Sequence, residues 1–111
     1  MVGAGRLSRG DVWLVALNPT LGSEIQKTRP CVIVSPDEIH NHIRTVLVAP
    51  LTSGSRPAPA RIKIAFDKVD GFVMLEHIRS VDRLRLTKKL GRVDDEILAD
   101  ILKTLREMFR D

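Results

Sequence analysis

The residues best suited to chemistry stand at the ends of apolar segments. Arg29 precedes the apolar run CVIV with only Pro30 between them, and Thr52 follows the segment TVLVAPL. A guanidinium donates hydrogen bonds to two phosphate oxygens, and a hydroxyl beside it can donate to a third. Glu24, in the polar segment before Arg29, is a carboxylate that could accept a proton. Residues of these types also form ordinary ion pairs at strand ends, and the pattern alone leaves both interpretations open.

A phosphate-binding group of this kind would suit the cleavage of RNA. The ribose 2′-hydroxyl is a nucleophile within the substrate itself, so we expect neither a metal ion nor a cofactor. The protein would orient the attack, stabilise the charge that develops on phosphorus and manage two protons. Further polar residues near predicted strand ends extend the pattern, namely Ser23, Ser53, Glu76, His77 and Arg79. Their spacing does not establish that they converge.

Other reaction classes lack their sequence motifs. The chain has neither a Gly-rich phosphate loop nor the Gly-x-Ser-x-Gly motif of a hydrolase. His40 and His42 form a His-x-His pair with no third ligand nearby, and DEIHNH is more simply explained as an exposed turn. Cys31, the only cysteine, is predicted to be a small buried residue rather than a nucleophile. One tryptophan, three phenylalanines and no tyrosine disfavour a platform for stacking RNA bases.

Composition and charge are those of a single globular domain with a basic surface. The chain has 111 residues, of which 43% are hydrophobic and 29% charged, and its formal net charge is +4. Residues 94–111 hold six acidic and three basic side chains, so the positive charge is concentrated in residues 1–93. This distribution fits a nucleic-acid-binding surface, and a mixed solvated surface explains it equally well.

Neither a membrane segment nor a secretory signal is visible in the sequence. No apolar run has the length needed to cross a bilayer, and MVGAGRLSR lacks an apolar stretch. We therefore expect a cytoplasmic protein with no membrane partner. In this interpretation residues 1–8 are a flexible lead-in to one domain at 9–111.

Hydrophobic periodicity predicts short strands, two long polar loops and a terminal helix. Strands are expected at 11–17, 31–35, 44–51, 61–66, at 72–82 as one bent strand or two short ones, and at 86–93. The loops are expected at 18–28 and 52–60. Asp70-Gly71 is a hairpin-turn signal, and Asp94 is expected to cap a helix with an apolar face that runs to Phe109. This order favours a mainly β, barrel-like fold with the helix packed on it.

Several segments, taken together, resemble a known protein family. They are RGDVW, GSE, RPCVIVS, PLTS and IRSVD, in that order between Arg9 and Phe109. In this combination the sequence resembles the MazF/PemK family of toxin endoribonucleases. The resemblance implies an SH3-like β-barrel of the CcdB/MazF type with a C-terminal helix packed on it.

The same resemblance implies an activity and its partners. Members of the family are expected to be homodimers that cleave single-stranded RNA, mRNA included, at a short preferred sequence and without a metal ion. The expected products carry 2′,3′-cyclic phosphate and 5′-hydroxyl ends. A cognate, MazE-like antitoxin is expected to cover the RNA site.

The resemblance assigns three candidate catalytic residues. The family's catalytic arginine falls on Arg29, its hydroxyl on Thr52 and its loop carboxylate on Glu24. A guanidinium is a poor base at neutral pH, but it stabilises a phosphorane-like transition state well. We therefore expect Arg29 to stabilise the charge and to donate a proton to the leaving 5′ oxygen. Thr52 would bind a non-bridging oxygen, and Glu24 would be the base for the 2′-hydroxyl.

The expected RNA-binding residues surround these three. His77 is also a second candidate base, because an imidazole transfers protons near neutral pH, although an RNA contact or an interface role is the simpler interpretation. It stands where glutamine is common in the family, which leaves the base preference open. The other expected RNA-binding residues are Ser53, Lys27, Arg56, Arg61 and Arg79.

Two other functions remain open at this point. A CcdB-like topoisomerase poison would share the fold and act by binding a protein. Arg29 and Thr52 together argue against it, because a protein-binding toxin needs neither. The other alternative is a catalytically silent module that keeps only its contacts with an antitoxin.

Overall fold

The computed structural model describes residues 6–18, 27–54 and 56–111. These residues form strands β1 Asp11–Ala16, β2 Thr28–Ile33, β3 Thr45–Ser53, β4 Arg61–Phe66, β5 Val69–Met74, β6 Arg79–Asp82 and β7 Leu86–Arg92. The α-helices are α1 Asp37–His40 and α2 Asp95–Met108, and the single-turn 3-10 helices Leu75–His77 and Arg83–Arg85 flank β6. The predicted segment 72–82 is therefore two strands. β2 begins earlier than predicted, so that Arg29 and Pro30 lie inside it.

The strands form one antiparallel sheet in the order β4-β5-β3-β2-β1-β7, and β6 also pairs with β3. β3 changes partner along its length, because residues 45–48 pair with β6 and residues 51–53 pair with β5. A mainly β fold with a C-terminal helix is thus confirmed. The predicted barrel is incomplete, however, since β4 and β7 are the two edges of the sheet within the described chain and do not pair.

Two hydrophobic clusters lie on opposite faces of the sheet. Alternation along β2 explains this, because Cys31 and Ile33 face the first cluster whereas Val32 and Val34 face the second. The first cluster is built around Trp13, and the second lies beneath α2. Each fully buried aliphatic side chain contributes about 1.5–3 kcal/mol relative to its exposed state, so both faces hold the sheet in place.

The C-terminal helix begins and packs as its sequence predicts. Asp94 occupies the N-cap position, although its side chain makes no capping hydrogen bond. Ile101 is buried, and its neighbours on the same face pack against the second cluster. The predicted apolar face continues too far, because Phe109 is 72% exposed. Helical periodicity identifies a face, but it does not indicate where the sheet beneath that face stops.

The packed part of the chain begins before Arg9. Leu7, which the sequence analysis placed in a flexible lead-in, is a core residue with 3% exposure. Its carbonyl oxygen lies 2.8 Å from Nδ1 of the buried His40, and Nε2 of that ring lies 2.7 Å from Oγ of Ser35. Because a carbonyl can only accept, Nδ1 carries the proton and Nε2 accepts from the serine hydroxyl. The backbone N–H of Leu47 donates to the same hydroxyl at 3.1 Å.

These four residues, Leu7, Ser35, His40 and Leu47, are called the histidine network below. The prediction that DEIHNH is simply an exposed turn is wrong for His40, although α1 does form one helical turn there. Periodicity gave no signal for this burial, because the contacts come from residues far away in sequence.

The β4–β5 hairpin turns at a different place from the one predicted. Asp67 and Lys68 form the turn, and both have positive φ angles, of 52° and 64°. Asp70 and Gly71 instead lie within β5. Gly71 is required there by a close approach, since a Cβ atom at this position would lie 2.0 Å from the carbonyl oxygen of Thr52. The Asp70-Gly71 pair thus correctly marked a position that requires glycine. The reason is the close approach of Thr52 and not a hairpin turn, so the predicted turn is wrong.

Candidate active site

Arg29 and Thr52 come together because β2 and β3 are antiparallel neighbours. Cys31 pairs with Pro50, and the same register continued by two residues brings Arg29 beside Thr52. Both side chains are half-buried, and both line one cleft of about 220 Å³ together with the exposed Ser53. The structure therefore places three of the predicted site residues at one position, at the end of the β2–β3 pair.

The opposite wall of the cleft lies in the gap of the open sheet. It consists of side chains from the two edge strands, the β4–β5 turn and the start of β5, namely Ile64, Phe66, Asp67, Val69 and Leu90. We call this wall the seam. Phe66 bridges the two edges, because a Cβ atom at Gly91 in β7 would lie 3.2 Å from its ring. The cleft thus has a polar side on β2 and β3 and a mainly apolar side on β4 and β7.

Two guanidinium groups place positive charge around the start of β2. Burial raises the pKa of the Cys31 thiol to about 12, although the charges of Arg79 and Arg29 act to lower it. Cys31 therefore stays protonated at neutral pH, which supports its interpretation as a core residue and not a nucleophile. The same two charges favour an anion at this end of the strand.

The loop between β1 and β2 is closed at its base by the described residues. The backbone N–H of Leu17 donates to the carbonyl of Lys27 at 3.1 Å, and Lys27 is exposed with φ 67°. Nη1 of Arg79 donates to the carbonyl of Leu17 at 3.2 Å, and Nη1 of Arg85 donates to that of Ala16 at 2.9 Å. Lys27 and Arg79 thus flank the loop base. Ser23 and Glu24, predicted for this site, lie outside the described residues.

Thr52 is held by its backbone while its hydroxyl is weakly engaged. It pairs with Phe72 of β5, and the neighbouring Ser53 pairs with Gly71. The hydroxyl donates to the carbonyl of Ser53 at 3.3 Å, which is long for such a bond. A phosphate oxygen could therefore take this donor at little cost.

Other predicted residues do not line the cleft. His77 ends the 3-10 turn Leu75–His77, and Arg56 is exposed in the loop before β4. Arg61, proposed for the phosphate backbone, instead forms an ion pair with Glu76 at 2.7 Å and donates to the carbonyl of Arg56 at 2.8 Å. The guanidinium is thus engaged within the hairpin, and its expected contact with the phosphate backbone stays a prediction.

The Arg61 pair also determines the charge of Glu76. Burial acts to raise the pKa of the Glu76 carboxyl, but the hydrogen bond and the charge of Arg61 outweigh it and hold that pKa below its usual value. Glu76 is therefore ionised at neutral pH and bound to a cation. Such a carboxylate accepts a proton less readily than an unpaired one.

Sequence reasoning missed the seam. The alternation in RIKIAF correctly placed Ile64 and Phe66 on an inward face. Nothing in the sequence indicated that Leu90 would meet them, since that contact depends on where β7 pairs with β1. Asp67 was hidden by the wrong turn assignment.

Neither a metal cluster nor a membrane span is found in the part of the chain that the structure describes. No three His, Cys, Asp or Glu side chains gather there in an arrangement that could hold a metal ion. Neither α1 nor α2 combines the length and the apolar character needed to cross a bilayer.

Comparison with known proteins gives a consistent result over almost the whole chain. Residues 8–109 match the sequence model of a family described as PemK-like, MazF-like toxin of type II toxin-antitoxin system. The endoribonuclease PemK of Escherichia coli is 37% identical over 105 residues, which cover 89% of this chain and 79% of that protein.

Solved structures share the fold. The crystal structure of MazF from Deinococcus radiodurans superposes with a TM-score of 0.83 at 24% identity and covers 94% of this chain and 96% of its own. An endoribonuclease in complex with its cognate antitoxin, from a mycobacterial species, gives a TM-score of 0.76 at 22% identity, with 91% and 92% covered. At these identities the likeness establishes the architecture, including the sheet that brings β2 and β3 together.

Proposed function

The chain belongs to the family of PemK-like, MazF-like toxins of type II toxin-antitoxin systems, and we propose that it cleaves single-stranded RNA, mRNA included, at a short preferred sequence. Membership of this family makes the chain an endoribonuclease toxin. One observation carries the proposal for its site: Arg29 and Thr52, from neighbouring strands, line the same open cleft.

The proposed reaction uses the nucleophile of the substrate. The 2′ oxygen attacks phosphorus, the bond from phosphorus to the 5′ oxygen breaks, and the products are a 2′,3′-cyclic phosphate and a 5′-hydroxyl. Arg29 stabilises the additional negative charge on the phosphoryl oxygens and donates a proton to the leaving oxygen. Thr52 donates its hydroxyl hydrogen to a non-bridging oxygen in place of the long bond to Ser53. No metal ion takes part in this scheme.

The base that accepts the 2′-hydroxyl proton is proposed to be Glu24. His77 remains the second candidate, at the turn between β5 and β6. Two other groups are unsuitable, because the Cys31 thiol is buried and protonated and Glu76 is bound to Arg61. Ser53, Lys27, Arg56 and Arg79 are proposed to contact the RNA. The first lies in the cleft, and Lys27 and Arg79 flank the loop base.

The proposed partners follow the family. An antitoxin of the MazE kind is expected to cover the cleft, and the structurally similar mycobacterial endoribonuclease was solved in complex with its cognate antitoxin. We also propose that the toxin is a homodimer and acts in the cytoplasm, where its RNA substrate is found. The alternative is a CcdB-like topoisomerase poison, but an open cleft that contains both an arginine and a hydroxyl favours cleavage.

The test is cleavage of a mixed single-stranded RNA in the presence of EDTA, followed by analysis of the ends. We expect cyclic phosphate and 5′-hydroxyl products, and a loss of rate of about 100- to 1000-fold in Arg29→Ala and in Thr52→Ala. Matched controls are Arg110→Ala and Thr45→Ala, which remove the same groups from exposed positions elsewhere. Binding should weaken steeply with salt.

Three results would contradict the proposal. RNA that stays intact with the wild-type protein at every salt concentration would reject cleavage altogether. Stalled gyrase–DNA complexes without RNA cleavage would favour the topoisomerase poison. Full activity of Arg29→Ala would remove the assigned site while leaving the reaction class in place.

A further inference from the structure

Resting on the proposed ribonuclease function, we propose that the seam holds a nucleobase next to the scissile phosphate and that Asp67 selects a base with an exocyclic amino group. The seam is the wall of Ile64, Phe66, Asp67, Val69 and Leu90 opposite the polar side of the cleft. The inference thus concerns substrate recognition at the same site and names the chemistry that it recognises.

The composition of the seam suits a flat, largely apolar ring. Val69 and Leu90 are 54% and 37% exposed, and both line the cleft. Exposed apolar side chains that share one concave surface mark a binding site more often than isolated ones do. Phe66 provides an aromatic ring between them, and bases bind to such rings by stacking.

The size of the cleft limits its occupant. Its volume of about 220 Å³ corresponds to about seven waters at roughly 30 Å³ each. That space accepts one base ring. A nucleobase also arrives with its own phosphate attached, and Arg29 and Thr52 line the same cleft.

Asp67 is the residue that gives the seam selectivity. It is the one carboxylate among the described residues that line the cleft. Its carboxylate makes neither a hydrogen bond nor an ion pair within residues 6–18, 27–54 and 56–111. A carboxylate repels the phosphate backbone, so the part of the substrate that lies beside it is not a phosphate.

An ionised carboxylate only accepts hydrogen bonds, and it accepts well from the amino groups of bases. Cytosine, adenine and guanine carry such a group, whereas uracil has no amino group and its one N–H donor on the Watson–Crick edge, at N3, lies between two carbonyl oxygens that a carboxylate disfavours. We therefore expect discrimination against uracil at one position beside the cut.

The first experiment maps the cleavage of a randomised single-stranded RNA by wild type and by Asp67→Asn. Asparagine tolerates the positive φ of this turn, so the variant should fold. Wild type should disfavour uracil at one position by about tenfold, and Asp67→Asn should abolish most of that preference. Asp70→Asn is the matched control, because it removes an exposed carboxylate from the same hairpin. An unchanged preference in Asp67→Asn would overturn the proposal.

The second experiment measures binding without cleavage. A 2′-O-methyl RNA of the preferred sequence lacks the nucleophile, and its affinity can be followed by fluorescence anisotropy. Leu90→Ser should weaken this affinity about fivefold or more, through the loss of apolar contact with the base. Lys88→Ser, at an exposed position on the same strand, should show the smaller loss expected from charge alone. Equal affinities of wild type and Leu90→Ser would overturn the proposal.

The two experiments separate the failure of this inference from the failure of the proposed function. Absence of cleavage by wild type would reject the ribonuclease function, and the affinity of the non-cleavable RNA would still test the seam. Normal cleavage with an unaltered base preference in Asp67→Asn would reject the seam alone. If Leu90→Ser weakened the binding of an added antitoxin but not the binding of RNA, the seam would be assigned to a protein side chain and the nucleobase rejected.

Discussion

The two strands that carry the candidate active site have a hydroxyl and a basic side chain near both of their ends, and the two ends are built differently. At one end Ser35 and His40 are 1% and 3% exposed, and main-chain groups satisfy them. At the other end Arg29 and Thr52 are half-buried and open to a cleft. The serine hydroxyl is saturated by its neighbours, whereas the threonine hydroxyl, among the described residues, makes only the long hydrogen bond to the carbonyl of Ser53.

This contrast shows that residue types alone do not identify chemistry. A serine that donates to a histidine is the arrangement of an activated nucleophile, yet here the pair is enclosed and joins three separate segments. An arginine beside a threonine is less distinctive in sequence, and it has the access that a substrate needs. Accessibility and the state of the remaining hydrogen bonds decide between a structural and a chemical role.

The largest effect should come from the closed end of the strands, where the side chain of Leu7 belongs to the first hydrophobic cluster. Leu7→Ala removes a buried side chain, and we expect the free energy of unfolding to fall by about 2–5 kcal/mol. Denaturant unfolding measures the loss, with the exposed Arg6→Ala as the control. Cleavage per folded molecule should be unchanged, because this end holds no substrate. A loss of activity without a loss of stability would mean that the two ends are not separate in function.

The second-largest effect is expected from a change that displaces the backbone of Thr52 at the open end of the strands. Gly71→Ala introduces a Cβ that would lie 2.0 Å from the carbonyl oxygen of Thr52, so β3 and β5 must move apart. We expect a stability loss of about 1–3 kcal/mol. We also expect a fall in RNA cleavage of about tenfold or more, because small misplacements of catalytic groups are costly. The rate should be measured against Asp70→Ala, an exposed neighbour in the same strand. Full activity would show that the position of Thr52 is not critical.

The smallest effect is expected from the partly exposed ion pair of Arg61 and Glu76, which lies at neither of the two strand ends compared above. Glu76 has a lowered pKa in the folded protein, so its ion pair with Arg61 stabilises the fold above the unfolded pKa and loses that effect as pH falls through the folded value. Glu76→Gln should therefore cost up to about 1 kcal/mol near neutral pH. The cost should vanish in acid, below the usual carboxyl range. Unfolding curves across pH measure this, and a constant difference would exclude the ion pair as its cause.

Much of the fold could be predicted from local patterns. The strands followed from short apolar runs, and α2 followed from its spacing and its acidic first turn. The hairpin turn could not be placed from Asp70-Gly71, because the same glycine is demanded by the approach of Thr52 from another strand. Leu7 and His40 were assigned to the surface for a similar reason, since each is buried by segments distant in sequence.

The part of the site that lies on two neighbouring strands could be predicted from the sequence. The family resemblance pointed to Arg29 and Thr52. The antiparallel pairing of β2 with β3 explains why they are neighbours, because it places the start of β2 beside the end of β3. The ion pair of Arg61 with Glu76 could not be foreseen, because the two residues are 15 positions apart and periodicity carries no information on such pairs. The seam could not be foreseen, because it exists only where the two edges of the sheet fail to meet.

The pairing of the first strand with the last has a consequence for biosynthesis. β1 lies between β2 and β7, and Asp11 pairs with Arg92. A growing chain on the ribosome therefore cannot complete the sheet until β7 has emerged from the exit tunnel. Leu90, on the same strand, completes the wall of the cleft only at that moment. A translation product interrupted before β7 should therefore be unable to assemble the cleft.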